Sequence, residues 1–168
     1  PLLVRNAAAQ TVPPDHAPEI YLVTMGPGET VYERYGHNAI WVRDTVDGTD
    51  IVYNYGTFDF GHSTAEVARF VGRFAMGRPQ YWLGTMPMAR TIEVYTYFKR
   101  DVDLQELALP AAKRIELARL LATNALPQNR VYTYDYFLDN CSTRVRDILN
   151  LVLGGALIVP YVLVRWVF

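Results

Sequence analysis

The stretch NAIWVRDTVDGTDIVYNY, residues 38–55, has the pattern of two β-strands joined by a turn. Residues 38–43 and 51–55 are rich in β-branched and aromatic side chains, as strands are. The polar segment between them, residues 44–50, contains Asp-Gly, a pair that favours hairpin turns. We therefore predict an antiparallel hairpin at this point of the chain.

Strands and helices are predicted on both sides of the hairpin. Residues 20–24 form a strand-like run before a Gly-Pro-Gly turn, and residues 80–85 and 91–98 have strand composition. One helix is predicted after the capping-box sequence STAE at residues 63–66, with an apolar stripe of Val67, Phe70, Val71 and Phe74. Two more begin at Pro110 and at Cys141. The predicted fold class is α+β, an antiparallel sheet with packed helices.

The composition and charge indicate a globular protein and exclude one class of partner. The 168 residues are enough for one domain, and 51% of them are hydrophobic, which is typical of a globular chain. Sixteen basic and seventeen acidic residues give a net charge of −1. This balance argues against nucleic acid as a partner, because nucleic-acid binding needs a clustered basic excess.

The two ends differ from the predicted domain, residues 19–153. Residues 1–18 read as a tail or linker, and their Ala-rich part resembles either the end of a secretory signal or a plain linker. Residues 154–168 are almost entirely apolar, with Arg165 as the charged residue. This segment fits a buried strand, an interfacial anchor or the start of a membrane region, and we expect membrane association.

Cys141 is the single cysteine, so it forms no disulfide within these residues. Asp139 or Asn140 is suited to cap the following helix, which places Cys141 in its first turn. Free N–H groups and the helix dipole favour a thiolate there, and Arg144 and Arg146 add positive charge nearby. The alternative is a buried structural cysteine.

A histidine is needed as the base for such a thiol. His37 follows a glycine at the start of a predicted strand, whereas His62 precedes a helix cap and is the competing candidate. Asn54 lies on the partner strand of the hairpin, where it could hydrogen-bond the far ring nitrogen of His37. Asp59 is the alternative orienting residue.

Other chemistries fit the sequence less well. The chain has no HxxxH and no CxxC spacing, so we expect no metal site. The sequence GHSTA at residues 61–65 lacks the second glycine of a nucleophile elbow, which disfavours a serine hydrolase. No cofactor is predicted.

Four segments resemble the Lnb N-terminal periplasmic domain family: IYLVTMGPG at 20–28, YGH at 35–37, YNYGTF at 53–58 and YDYFLDNCSTRVRD at 134–147. The resemblance covers about residues 19 to 150. It implies a circularly permuted papain-like (NlpC-type) fold, in which the histidine strand precedes the cysteine helix. It also implies lipoprotein N-acylation through a cysteine thioester, at the periplasmic side of the cytoplasmic membrane, with a lipid or lipoprotein substrate.

The mechanism that we expect uses Cys141 as the nucleophile, His37 as the proton carrier and Asn54 as the residue that orients His37. The backbone N–H of Cys141 would stabilise the oxyanion, helped by a donor such as Asn140 or Tyr134. Two alternatives remain at this point. One is a cysteine peptidase or amidase acting on cell-wall peptide, and the other is a non-catalytic envelope binding module with the same fold.

Overall fold

A computed structural model describes residues 16–29, 34–59 and 63–157, and these residues contain six strands and four helices. In chain order the elements are β1 (Glu19–Met25), β2 (His37–Asp44), β3 (Thr49–Thr57), α1 (Thr64–Ala75), β4 (Gln80–Met86), α2 (Met88–Tyr97), β5 (Val102–Glu106), α3 (Ala111–Asn124), β6 (Val131–Thr133) and α4 (Cys141–Val152). The strands form one sheet in the order β5-β1-β2-β3-β4-β6, and every neighbouring pair is antiparallel. The α+β prediction is confirmed.

The β2–β3 hairpin lies at the centre of the sheet. Ile40 is opposite Tyr53, and the pairing continues to Asp44 opposite Thr49. The turn is therefore shorter than predicted and spans residues 45–48. The carboxylate of Asp44 tightens this turn by accepting the N–H of Val46 at 2.8 Å.

Both faces of the sheet are covered, because apolar side chains alternate along the strands. One buried cluster joins the sheet to α3 and α4 through Ile20, Ile40, Leu83, Leu117, Leu121, Val145, Ile148 and Val152. A second cluster joins the other face to α2 through Val23, Met25, Ala39, Val52, Met88 and Tyr95. Each fully buried aliphatic side chain contributes about 1.5–3 kcal/mol, so the two clusters fix the helices against the sheet.

The prediction of a strand at residues 91–98 was wrong, because this segment belongs to α2. Pro87 is the N-cap of α2, and the Thr91 hydroxyl donates back to its carbonyl at 3.2 Å. The buried residues Met88, Thr91 and Tyr95 have the 3–4 spacing of a helix face, which outweighs the β propensity of the sequence. Two short strands, β5 and β6, were not predicted.

The three predicted helices are confirmed in position. Ser63 caps α1 with the expected capping box, Pro110 is the N-cap of α3, and α4 begins at Cys141. Helix α1 differs from the others because none of its residues is buried. Phe70 of its apolar stripe packs partly buried against the core, whereas Val67, Val71 and Phe74 are exposed.

Parts of both predicted ends lie outside the described residues, namely 1–15 and 158–168. His16, at the start of the described chain, contacts Asp44 with Nε2 at 2.5 Å from Oδ1. Across the described ranges, no helix has both the length and the apolar character needed to cross a bilayer.

Candidate functional site: a cysteine, a histidine and an asparagine

Cys141 is the first residue of α4, and its neighbour Asn140 is the N-cap, as predicted. The Oδ1 of Asn140 accepts the N–H groups of Ser142 and Thr143, each at 3.0 Å. Its Nδ2 donates to the carbonyl of Tyr136 at 2.8 Å. The cap therefore satisfies the second and third N–H groups of the helix and leaves that of Cys141 to another acceptor.

His37 and Asn54 meet across the central hairpin. His37 is the first residue of β2, opposite Met25 of β1, and Asn54 lies on β3. The Nε2 of His37 lies 2.5 Å from the Oδ1 of Asn54, as expected if the ring nitrogen donates to the amide oxygen. The other ring nitrogen, Nδ1, is left for the thiol.

The thiol of Cys141 and the imidazole of His37 interact, since hydrogen bonding and charge between them shift the pKa of both groups. The structure thus brings together the three residues that the sequence singled out, although His37 and Cys141 are 104 residues apart in the chain. The Nδ2 of Asn38 donates to the Ser142 hydroxyl at 3.0 Å, which ties the start of α4 to β2.

Burial raises the pKa of the Cys141 thiol, but the hydrogen bond and charge of His37 oppose it. The backbone N–H of Asn38 and the Ser142 hydroxyl also favour the thiolate, and the net effect lowers the pKa of Cys141 to about 7. Burial lowers the pKa of His37, yet its interactions with Cys141 and then Asn54 outweigh burial and raise it above its usual value. The two shifts favour a thiolate–imidazolium pair near neutral pH.

The nearby arginines are paired with carboxylates. Arg144 makes a two-pronged ion pair with Asp139, at 2.5 and 2.7 Å, and Arg146 pairs with Asp147 at 2.7 Å. The groups that favour the Cys141 thiolate are therefore His37, the backbone N–H of Asn38 and the Ser142 hydroxyl, rather than the arginines expected from the sequence.

Gly56 lies against both His37 and Cys141 in a backbone conformation that favours glycine. Its φ is +95°, a backbone conformation that L side chains rarely adopt. A Cβ at this position would lie 3.4 Å from Cε1 of His37 and 3.5 Å from Cβ of Cys141. Sequence reasoning quoted Gly56 in the YNYGTF segment without giving it a role. Its signal was a glycine two residues after Asn54 inside a strand.

Tyr132 was missed by sequence reasoning. Its hydroxyl is buried and has no hydrogen-bond partner among the described residues. The hydroxyl oxygen lies 4.0 Å from the position that a Cβ on Gly56 would occupy, on the same side as Cys141 and His37. Burial raises the pKa of Tyr132 far above its usual value, so the group stays a donor. The guanidinium of Arg144 stacks over its ring at 3.9 Å.

The other residues predicted for the site are Tyr134, Asp59 and His62. Burial, and then the charge of Cys141, raise the pKa of Tyr134 well above its usual value, so Tyr134 lies within electrostatic reach of the thiol. Asp59 is exposed, and Asn54 occupies the position at Nε2 of His37. His62 lies outside the described residues. Among the described residues, no three His, Cys, Asp or Glu side chains are grouped to hold a metal ion.

An antiparallel sheet with a helix-terminal cysteine, a strand histidine and an asparagine defines an α+β domain with a thiol–imidazole–amide site. The chain belongs to the Lnb N-terminal periplasmic domain family, whose sequence model matches residues 5–167. The family description is that of a periplasmic domain, so the chain has an extracytoplasmic location and a role in the cell envelope. Neither a curated protein nor a solved structure matches it.

Proposed function

We propose that this domain is a thiol acyltransferase of the bacterial envelope that acts through an acyl-thioester on Cys141, with lipoprotein N-acylation as its reaction. The observation that carries the proposal is the His37 ring held between Asn54 and the thiol. A lowered thiol pKa beside a fixed imidazole is what an acyl-transferring nucleophile requires.

In the first half-reaction the Sγ of Cys141 attacks the carbonyl carbon of a lipid ester. The S–C bond forms and the C–O bond breaks. The His37 imidazolium gives its Nδ1 proton to the leaving oxygen, which departs as an alcohol. The products are a thioester on Cys141 and a neutral imidazole, with Nε2 still held by Asn54.

In the second half-reaction the N-terminal amine of a lipoprotein attacks the thioester carbonyl. A C–N bond forms, the C–S bond breaks, and His37 accepts the proton lost by the nitrogen. The thiolate and the imidazolium are regenerated, so the site returns to its starting state.

Both half-reactions pass through a tetrahedral oxyanion that needs donors. We propose the backbone N–H of Cys141 and the hydroxyl of Tyr132, because that hydroxyl is buried near the thiol without a partner. Tyr134 is the second phenol within reach of the charge on Cys141. Asn140 contributes by holding the helix N-terminus, since its amide is engaged by the cap and by Tyr136.

The chain order His37, Asn54, Cys141 supports a circularly permuted papain-like arrangement, which we include in the proposal. The histidine and asparagine come from adjacent central strands, and the cysteine from a helix packed on that sheet.

The test is intact-protein mass spectrometry after the chain is mixed with phospholipid micelles. We expect a fatty-acyl mass on wild type that neutral hydroxylamine removes, and none on Cys141→Ala. A peptide adduct after incubation with cell-wall peptides would instead support a peptidase or amidase. No adduct with either substrate, together with a thiol pKa near 9, would support a non-catalytic binding module.

A further inference from the structure

Helix α1 presents an apolar stripe to solvent. Val67, Val71 and Phe74 follow one another at helical spacing, and their exposed fractions are 41%, 55% and 62%. Met76, the C-cap residue, is exposed by 69%. A helix with this pattern normally buries such a face against a core, whereas here Phe70 packs partly buried against the core and no residue of the helix is fully buried.

The polar side of the same helix is basic. Arg69, Arg73 and Arg78 lie within or directly after α1, off the apolar stripe, in a chain whose net charge is −1. The acidic residue in this segment, Glu66, is engaged in the N-terminal capping box, where it accepts from the N–H and the hydroxyl of Ser63 at 3.0 Å. An exposed apolar stripe with arginines on the other side is typical of helices that lie in the interface of an anionic bilayer.

The stripe is continuous with the thiol site through a row of aromatic rings. The ring centroids are 6.3 Å apart for Phe74 and Phe70, 5.8 Å for Phe70 and Phe58, and 4.9 Å for Phe58 and Tyr81. Tyr81 then lies 4.3 Å from Tyr134, the ring within reach of the charge on Cys141. Aromatic ring contacts thus run from the exposed helix through the buried Tyr81 to the neighbourhood of Cys141.

We propose that α1 is a lipid-docking helix, which lies in the surface of an anionic bilayer with Val67, Val71 and Phe74 in the acyl region. A second copy of the chain fits this surface less well. The stripe consists of three exposed side chains, whereas each side of a stable interface has roughly 20–30 residues, and a symmetric pair would bring two sets of arginines together. Docking itself does not need a reactive thiol; only the supply of an acyl chain from the bilayer to Cys141 rests on the proposed function.

The experiment is co-flotation of the full chain with vesicles of phosphatidylglycerol and phosphatidylcholine, compared with phosphatidylcholine alone. We expect preferential binding to the anionic vesicles and a partition coefficient at least tenfold lower for Val71→Asp. The matched control is Val46→Asp, which adds the same charge at a residue of the β2–β3 turn that is exposed by 74%. It should change the partition coefficient less than twofold.

Two further measurements keep the outcomes separate. Circular dichroism of each variant checks that the fold is retained, and Phe74→Ser tests the stripe without adding a charge. Cys141→Ala should bind vesicles like wild type, so loss of the thioester would not affect this inference. Unchanged vesicle binding in both α1 variants would overturn it, as would a stripe-dependent dimer in sedimentation with no lipid binding.

Discussion

The Oδ1 of Asn54 and the Nε2 of His37, on neighbouring central strands, lie 2.5 Å apart, so the imidazole is held on the side away from the thiol. This contact occupies Nε2, so Nδ1 is the ring nitrogen left to interact with Cys141 at the start of α4. The reactivity of Cys141 therefore depends on the pairing of two strands as well as on its own helix.

The thiol should titrate near neutral pH. Burial raises the pKa of Cys141 and His37 is the leading opposing group, so the pKa of about 7 should rise above the free-thiol value of about 8.5 in His37→Ala. The rate of iodoacetamide alkylation at Cys141, followed by mass spectrometry from pH 5 to pH 10, measures this shift. The same midpoint of the pH dependence in wild type and His37→Ala would show that His37 does not lower the thiol pKa.

Asn54→Ala should leave the fold intact but slow thioester formation. The loss of one hydrogen bond to a charged ring corresponds to about 10- to 100-fold in rate. The hydrogen bond that His37 donates to Asn54 also helps to raise the pKa of His37, so that pKa should fall in the variant. Rapid-quench mass spectrometry and imidazole NMR titration report the two effects, and an unchanged NMR titration would argue against an orienting role.

Gly56→Ala should damage both stability and reactivity. An L residue at this φ costs about 1–3 kcal/mol, and a backbone shift that relieves this strain would displace the His37 ring and Cys141, which the new methyl would contact. Gly48→Ala is the matched control, since its φ is +79° but nothing lies within 4 Å of the added Cβ. Urea unfolding should show a loss of stability in both variants, whereas a raised thiol pKa is expected for Gly56→Ala alone.

Tyr132→Phe should separate stability from catalysis. Removing a buried hydroxyl that has no partner leaves the free energy of unfolding unchanged or raises it. Loss of an oxyanion donor should nevertheless slow acyl transfer by about 10²- to 10³-fold. The control is Tyr55→Phe, because the Tyr55 hydroxyl accepts from Asn124 at 2.9 Å and its loss should reduce stability with little effect on rate. Wild-type turnover in Tyr132→Phe would exclude the donor role.

The sequence was most informative where a local signal determines the backbone conformation. The Asp-Gly turn, the STAE capping box and the Asn-Cys helix start all predicted their elements correctly, because each depends on neighbouring residues. It was least informative where contacts between distant parts of the chain decide the secondary structure. The segment 91–98 has β-branched residues yet forms a helix over the sheet, and the three-residue strand β6 forms by pairing with β4.

The same distinction applies to the site. His37, Asn54 and Cys141 could be selected because their residue types and local settings suggest chemistry. Tyr132 could not, since a buried phenol without a partner is recognised only when the surrounding atoms are known. The role of Gly56 likewise can be recognised only when the positions of the atoms around its Cα are known.

The cap at Asn140 and the hairpin that holds His37 are far apart in the chain, so an unfolded molecule has an ordinary cysteine. During export the thiol is therefore mostly protonated at neutral pH and slow to react with oxidants or with other exported chains. Docking of α4 onto the sheet brings Cys141 to His37 and lowers the pKa of the thiol. On the proposed function, folding in the periplasm is thus the step that activates the nucleophile.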